Sequence, residues 1–421
     1  MARRAFYRKE VLDNGLVILT ERMPAVRSVS IGVWIQVGSR DEEEGRAGIS
    51  HFIEHMLFKG TEKRSAEEIA AAIDSVGGTL DAFTSREHTC FYAKVLGEHV
   101  PLAVDLLADL VLHPRLDPED IEKEREVILQ EIKMVEDSPD DRIHDLFAQT
   151  IWADQPLGRP VLGRRETLQQ IGRDEVVKYM DRYYRPDRAI ISVAGDLEHQ
   201  TLVDLVAGAF GGWQGRSRPG ASSPPVSHFT LLNEDQDLSQ VHLCLGVNGL
   251  AYAHRERYTL SVLNNILGGG MSSRLFQEIR EKRGLVYSIY SYTASYRDGG
   301  LFVVYAGTSR DHYQEVVDLM QAKFREIRDE PVGPEEFRRA RGQLKGSLLL
   351  GLESTSSRMA RLAKMQMYFH RCFGLEEIIK GIEEVTPEHL QPLTQSLFAD
   401  GACTLASIGR IPQPSPSVLT P

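Results

Sequence analysis

His51-Phe52-Ile53-Glu54-His55 places two imidazoles four residues apart with a carboxylate between them. The surrounding segment, Ile49 to Phe58, is apolar almost all round, which predicts a helix inside a protein core. On a helix, positions i, i+3 and i+4 share one side, so both His side chains could hold one metal ion while Glu54 reaches a water bound to it. Catalytic metal sites usually have three protein ligands, so the pattern requires another.

The acids of a second helix supply candidates for that ligand. Asp117-Pro118-Glu119 is a strong helix start, and helical spacing continues to Glu136. A helical wheel places Glu124 and Glu131 beside the apolar stripe, whereas the other acids of the helix face solvent. The residues that define this stripe are Ile121, Ile128, Ile132 and Val135. Burying a carboxylate costs several kcal/mol unless something compensates it. Either acid alone could pair with a Lys or Arg, but the two acids together with the two histidines favour a metal.

The chain also shows two similar halves separated by a linker rich in Gly, Pro and Ser. Asp117-Pro118-Glu119-Asp120-Ile121 recurs as Gly333-Pro334-Glu335-Glu336-Phe337, and other matches lie at nearly the same spacing, which suggests duplication. A shift of 216 residues carries the metal motif onto Leu267, Gly270 and Met271, so one metal site per chain is expected. The predicted boundaries are a metal-binding domain at 1–212, a linker at 213–227, a homologous domain at 228–412 and a flexible tail at 413–421.

Alternating apolar residues and longer helical patterns recur in each half, and together they predict an α+β fold. It would consist of two homologous domains, each a largely antiparallel sheet packed with helices. The predicted strands include 29–37, 89–96, 189–195, 240–247, 301–306 and 402–409. The predicted helices include 49–58, 66–76, 99–112 and 118–136.

Composition narrows the class of protein. The chain has 421 residues, 42% of them hydrophobic, and no run approaches the roughly 18 apolar residues of a membrane span. Residues 1–10 lack the apolar region of a secretory signal, so a soluble, cytoplasmic protein is expected. The formal charge of −11 argues against a nucleic-acid binder. The four cysteines are widely spaced without a CxxC pattern and are expected to be core residues.

Three segments resemble a known family. They are His51 to Thr61, Ala82 to Glu87 and Glu124 to Ile132, and they are similar to the inverted-motif zinc peptidases that include pitrilysin, insulin-degrading enzyme and mitochondrial processing peptidase. The similarity runs from about Val11 to Arg410, and the length fits the half-length branch common in bacteria.

The resemblance implies a role for each residue of the motif. His51, His55 and Glu131 would bind one Zn²⁺ ion. Glu54 would be the general base, and Glu124 would orient the site from behind the ligands.

It also implies residues that contact substrate. Arg280 and Tyr287 match an Arg-x6-Tyr element that acts on the substrate and on the developing oxyanion. The segment Asp81, Ala82, Phe83 and Thr84 would pair with the peptide main chain. Asp81 departs from the family, where Asn is common at this position. Gln155 also stands where His is frequent, outside the expected metal shell.

The sequence therefore predicts a zinc metalloendopeptidase that hydrolyses peptide bonds in extended or unstructured peptides, with Glu54 acting on a zinc-bound water. Half-length members pair, so a homodimer is expected, with Tyr287 of one subunit completing the site of the other. Two other classes stay open. A non-catalytic peptide-capturing or scaffold subunit would share the fold, and a mononuclear iron enzyme could also use two His and one carboxylate.

Overall fold

The computed structural model describes residues 7–217 and 223–411. The expected tail at 413–421 and part of the expected linker lie outside the described residues. The eleven strands in these ranges are β1 (Arg8–Val11), β2 (Val17–Arg22), β3 (Ser28–Ile35), β4 (Thr79–Thr84), β5 (Thr89–Leu96), β6 (Ala189–Gly195), β7 (Leu231–Glu234), β8 (Val241–Gly249), β9 (Val286–Ser295), β10 (Gly300–Thr308) and β11 (Thr404–Ile408).

The α-helices of the described residues are α1 (Ile49–Leu57), α2 (Ala66–Asp74), α3 (Val100–Leu112), α4 (Pro118–Glu136), α5 (Pro139–Ile151), α6 (Arg165–Leu168), α7 (Arg173–Tyr183), α8 (His199–Phe210), α9 (Arg257–Leu267), α10 (Tyr313–Asp329), α11 (Pro334–Gly351), α12 (Thr355–Phe369), α13 (Leu375–Glu383) and α14 (Pro387–Leu397). Phe276–Glu281 forms a separate π-helical segment.

The described residues form two compact units. In the first unit, six strands form one sheet in the order β1-β2-β6-β3-β5-β4, and only the β2–β6 pair is parallel. Strand β3 is buried over nearly its whole length, since helices cover both faces of the sheet at its centre. Helices α1, α3, α4, α7 and α8 contribute to the main core on one face. At one edge, β4 pairs with β5 alone.

The second unit repeats this plan with five strands in the order β7-β11-β8-β10-β9, and its only parallel pair is β7–β11. The order matches β2-β6-β3-β5-β4 of the first sheet, strand for strand. Its main core lies between the sheet and helices α9, α10 and α14. The α+β fold with two homologous, largely antiparallel domains is therefore confirmed.

Each compact unit contains one helix that comes from the other half of the sequence. Helix α12 follows the second half in sequence but belongs to the first unit, where Thr355 bonds Ser30 at 2.8 Å between their hydroxyl oxygens. In that unit, Trp34 Nε1 also donates to Met359 Sδ at 3.2 Å. Helix α5 lies in the first half but packs in the second unit, where Phe147 contacts Gly246 of β8. The compact units therefore do not coincide with two continuous halves of the chain.

Most predicted elements are present with small shifts at their ends. Strands β5 and β6 and helix α4 have the predicted bounds. Helix α1 ends one residue early, and β3 ends at Ile35, two residues before its predicted end. None of the helices in the described part of the chain has the length and apolar character needed to cross a bilayer.

Candidate metal centre

The start of helix α1 is fixed by a buried carboxylate. Glu42 accepts hydrogen bonds from the backbone N–H groups of Gly48 at 2.7 Å and Ser50 at 2.8 Å, which satisfies donors that a helix start leaves unpaired. Gly48 has a φ of 97°, and a Cβ there would lie 2.7 Å from the carbonyl oxygen of Leu162. Glycine is therefore required at this turn. The Ser50 hydroxyl also bonds the Tyr179 hydroxyl at 2.9 Å, so α1 is held before its histidines begin.

Helix α4 is positioned by Arg125, a buried residue that the sequence analysis did not single out. Its guanidinium donates to the carbonyl oxygens of Ile171, at 2.8 Å, and of Leu168. It also pairs with Glu122 and lies 5.7 Å from the ring centroid of Phe52 on α1. These contacts link α4 to α1 and to the chain after α6, so the two helices that carry the predicted ligands share one support.

The three predicted ligands come together between these helices. Glu131 Oε2 lies 3.8 Å from His51 Nε2 and 3.5 Å from His55 Nε2. Four donors placed tetrahedrally at about 2.1 Å from Zn²⁺ would lie about 3.4 Å apart, so the observed separations fit one ion. Within residues 7–217 and 223–411, this is the only trio of His, Cys, Asp or Glu donors arranged to hold a metal. The geometry is compatible with zinc, and the ligand assignment stays a prediction.

Different features of the structure favour a free Nε2 lone pair on each of the two imidazoles. Burial, with a smaller effect of His55, lowers the pKa of His51 to about 3, so its ring is neutral near pH 7. His51 Nδ1 is buried without a hydrogen-bond partner among the described residues. His55 Nδ1–H donates to Glu124 Oε2 at 3.0 Å, which fixes the tautomer that leaves the Nε2 lone pair free.

Glu124 lies between His55 and Lys59, and among the described residues no hydrogen bond or ion pair joins it to His51 or Glu131. Its side chain is only 6% exposed, and its second oxygen lies 2.6 Å from Lys59 Nζ. The Lys59 ammonium compensates the buried charge while the carboxylate orients His55. The Glu131 side chain is more open, at 36% exposed. The inward direction of both acids agrees with the helical wheel.

Glu54, which directly precedes His55 on α1, faces the same site. The Thr84 hydroxyl donates to Glu54 Oε2 at 2.5 Å and so joins the carboxylate to the end of strand β4. Burial raises the pKa of Glu54, while the Thr84 hydrogen bond and His55 lower it. Thr84 was predicted to contact substrate, and this bond gives it a further role in orienting the expected base.

Lys59, Arg125 and Glu42 were missed as supporting residues by sequence reasoning. Lys59 follows His55 by four residues, the spacing of one helix face, and this signal was available. Glu42 and Arg125 act through backbone groups that are distant in sequence, and no local pattern marks such contacts.

The remaining predicted residues lie on two different elements. Asp81, Ala82 and Phe83 belong to the edge strand β4 of the first unit. Arg280 lies in the π-helical segment of the second unit, with its guanidinium 4.8 Å from the ring centroid of Phe276. Tyr287 lies on β9 of that unit and is 78% exposed. The structure therefore brings together the predicted metal ligands, Glu54 and β4 within one unit, and it places Arg280 and Tyr287 in the other.

Family models match both halves of the chain. The model for insulinase, peptidase family M16, matches residues 17–165, and the model for the peptidase M16 inactive domain matches residues 170–344. The chain belongs to peptidase family M16. All four residues His51, Glu54, His55 and Glu131 of this M16 protein lie in the first match. The second match agrees with the absence of a second metal motif from the sequence.

Related proteins of similar length carry names that refer to zinc. The M16 protein is 44% identical to the uncharacterized zinc protease YmxG of Bacillus subtilis, over 92% of this chain and 95% of the relative. It is 40% identical to an uncharacterized zinc protease of Streptomyces coelicolor, over 93% of this chain and 87% of the relative. The resemblance to the half-length branch of the family is therefore confirmed, and these relatives support a peptidase that uses zinc.

Solved structures share the fold of this M16 protein. A protease from Helicobacter pylori is 22% identical and superimposes with a TM-score of 0.88, covering 96% of this chain and 99% of that one. A peptidase M16 inactive domain from Pseudomonas fluorescens is 18% identical, with a TM-score of 0.90, covering 97% and 99%. At these identities the likeness concerns the fold alone.

Proposed function

We propose that this M16 protein is a zinc metalloendopeptidase that cleaves extended or unstructured peptides. The observation that carries the proposal is the convergence of His51, His55 and Glu131 beside Glu54, whose carboxylate is held by Thr84. An iron enzyme with two His and one carboxylate would have no use for Glu54. The zinc named in the relatives also favours the peptidase.

The substrate would bind as an added strand. Strand β4 ends the first sheet, and its outer edge pairs with no other strand of the described residues. A free edge offers main-chain donors and acceptors to an extended peptide. Since Thr84 of this strand contacts Glu54, a peptide paired along β4 would pass the expected base. We propose that Asp81, Ala82, Phe83 and Thr84 form this contact, which suits unstructured chains because folded segments offer no free strand.

His51, His55 and Glu131 would hold the zinc ion. When bound, zinc lowers the pKa of water to roughly 7 and polarises the scissile carbonyl. Glu54 takes a proton from the attacking water and delivers it to the leaving amine, as expected of a partly buried carboxylate with a raised pKa. Thr84 keeps that carboxylate directed at the site, and Glu124 with Lys59 keeps the ring of His55 in place.

Tyr287, with Arg280, would stabilise the negative oxygen that develops during attack. A feature of β9 supports this role. Ser288 pairs with Gly307 and Val286 pairs with Thr308, so Tyr287 is an extra residue in a β-bulge. Bulges redirect side chains and are common beside active sites. We propose a homodimer in which Tyr287 of one subunit serves the metal site of its partner.

Mixing two inactive variants tests whether the site is shared between subunits. Glu54→Gln and Tyr287→Phe should each have low activity alone. After subunit exchange, half of the dimers would be mixed, and each would hold one complete site, so about a quarter of wild-type activity should return. Subunit exchange is verified with two affinity tags. Exchange without any return of activity would show that Tyr287 does not act in trans.

Removal of the metal tests the proposed function itself. We expect the purified protein to contain one zinc per chain and to cleave an unstructured basic peptide. Dialysis against a chelator should remove both zinc and activity, and Zn²⁺ should restore them, because the ion would both activate the attacking water and polarise the carbonyl. Metal content is measured by atomic absorption. Zinc binding without cleavage of any unstructured peptide would instead favour a non-catalytic peptide-capturing subunit, and iron-dependent oxygen uptake would favour an iron enzyme.

A further inference from the structure

The turn between β4 and β5, residues 85–88, is held against the chain segment that precedes α1. The backbone N–H of Arg40 in that segment donates to the carbonyl oxygen of Arg86 in the turn at 2.9 Å. A Cβ at Gly38 would clash with another carbonyl oxygen of the turn, so the two stretches of backbone approach as closely as glycine allows. The turn follows Thr84 directly, and these contacts therefore help to fix the end of β4.

A buried ion pair adds to the backbone contacts at the β4–β5 turn. Arg40 Nη1 donates to Glu87 Oε1 at 2.7 Å, and the two side chains are only 5% and 4% exposed. The hydroxyl of Tyr368, on α12, donates to Glu87 Oε2 at 2.9 Å. Buried charges are stable only when they are paired and hydrogen-bonded, and here both carboxylate oxygens have partners. Glu87 is thus held from two sides, by the segment before α1 and by α12.

The segment before α1 also positions the helix that carries Glu54. Glu42 accepts two backbone N–H groups at the start of α1, and Arg40 stands two residues before it. One short segment therefore holds α1 through Glu42 and the β4–β5 turn through Arg40. Helix α1 carries Glu54, and the turn directly follows Thr84, whose hydroxyl donates to Glu54. The length of that hydrogen bond depends on how this segment places both elements.

We propose that a positioning network fixes the hydrogen bond between Thr84 and the expected base Glu54. The network consists of Arg40, Glu87 and Tyr368. This inference rests on the proposed peptidase function and adds three positioning residues to it. Tyr368 is the best member to test, because its hydroxyl can be removed while the buried charge of Glu87 stays paired with Arg40. Removal of either ion-pair partner would leave an uncompensated buried charge and unfold the protein.

The main experiment measures steady-state kinetics of Tyr368→Phe on one unstructured peptide. We expect kcat to fall about tenfold, because small displacements of a reacting group lower the rate strongly. KM and zinc content should stay at the wild-type level, since the variant alters neither β4 nor the three predicted ligands. Wild-type kinetics would overturn the proposal, and so would a higher KM with an unchanged kcat.

A double-mutant cycle tests whether Tyr368 acts through Thr84. Thr84→Val removes the hydroxyl that holds Glu54 and should itself lower kcat. If the network acts through this hydroxyl, Tyr368→Phe should lower kcat by less than about twofold in the Thr84→Val background. Equal losses in both backgrounds would show that Tyr368 influences activity by another route, and the proposal would be wrong.

The matched control is Ser192→Ala. The Ser192 hydroxyl, on β6, donates to the carbonyl oxygen of Met359 at 2.7 Å, so this variant removes a different buried hydrogen bond between the same sheet and α12. Its kcat should equal that of wild type. A loss of kcat as large as that of Tyr368→Phe would mean that any loosening of α12 lowers activity, which contradicts a specific role for the network.

Amide hydrogen exchange gives a readout that does not require activity. The Ser85 N–H donates to the carbonyl oxygen of His88 within the β4–β5 turn at 2.8 Å. Tyr368→Phe should speed exchange of this amide about tenfold, and Ser192→Ala should leave it unchanged. An unchanged rate in Tyr368→Phe would overturn the proposal. If wild type with zinc cleaves no unstructured peptide, the proposed function fails, whereas the exchange rates still show whether the network orders the turn.

Discussion

Glu54→Gln should reduce kcat for peptide cleavage by about 10²- to 10⁴-fold while zinc content stays at the wild-type level. The amide has nearly the shape of the carboxylate, and its oxygen can still accept the Thr84 hydroxyl at the same position. It cannot take a proton from water, so the transfer that Glu54 is expected to perform is lost. Because Glu54 is not among the three converging donors, zinc should still bind.

The matched control for this variant is Glu126→Gln. Glu126 lies on the solvent side of α4, so its substitution removes one negative charge from the same unit without touching the site. Its kcat should equal that of wild type. Steady-state kinetics on one unstructured peptide, together with atomic absorption, gives both readouts. Glu54→Gln with normal kcat and normal zinc content would show that another group acts as the base.

The fold followed from patterns that burial imposes on a sequence. Strand β6 and helix α4 could be bounded correctly because their apolar spacing is regular and their ends carry strong signals. The exchange of α5 and α12 could not be predicted. Each is an amphipathic helix. Its apolar face must be buried, but the sequence does not indicate which sheet will cover that face. The Glu54 to Thr84 contact likewise depends on how α1 and β4 approach one another.

The candidate site was predictable to the extent that its residues share local periodicity. His51, His55, Glu124 and Glu131 could be selected because each pair lies on one face of one helix. The residues that hold these two helices in place could not be selected in this way. Glu42 acts on backbone donors of α1, and Arg125 acts on carbonyls near α6, so their partners carry no side-chain signature. Such contacts become visible only when the helices are placed.

Glu131→Gln should lower zinc affinity more than Glu124→Gln, although the two acids lie seven residues apart on the same helix. Structural sites with four ligands bind Zn²⁺ with a free energy of about 10–16 kcal/mol. Loss of the charge on one ligand is therefore expected to cost about 3 kcal/mol, which lowers the zinc affinity on the order of 100-fold or more. Zinc in Glu131→Gln should therefore be lost to a weak chelator. Activity should fall with it, because His51 and His55 alone hold the ion poorly.

Glu124→Gln tests the other half of this comparison. Its oxygen would still accept His55 Nδ1–H, but the attraction to Lys59 would be lost, and such supporting changes typically cost 10- to 100-fold in metal affinity or activity. Competition with a chromogenic chelator gives the zinc affinity of both variants. Added Zn²⁺ should restore much of the activity of Glu124→Gln and little of that of Glu131→Gln. The reverse order would identify Glu124 as the third ligand, with Glu131 as its support, and the distances between Glu131 and the two Nε2 atoms argue against that order.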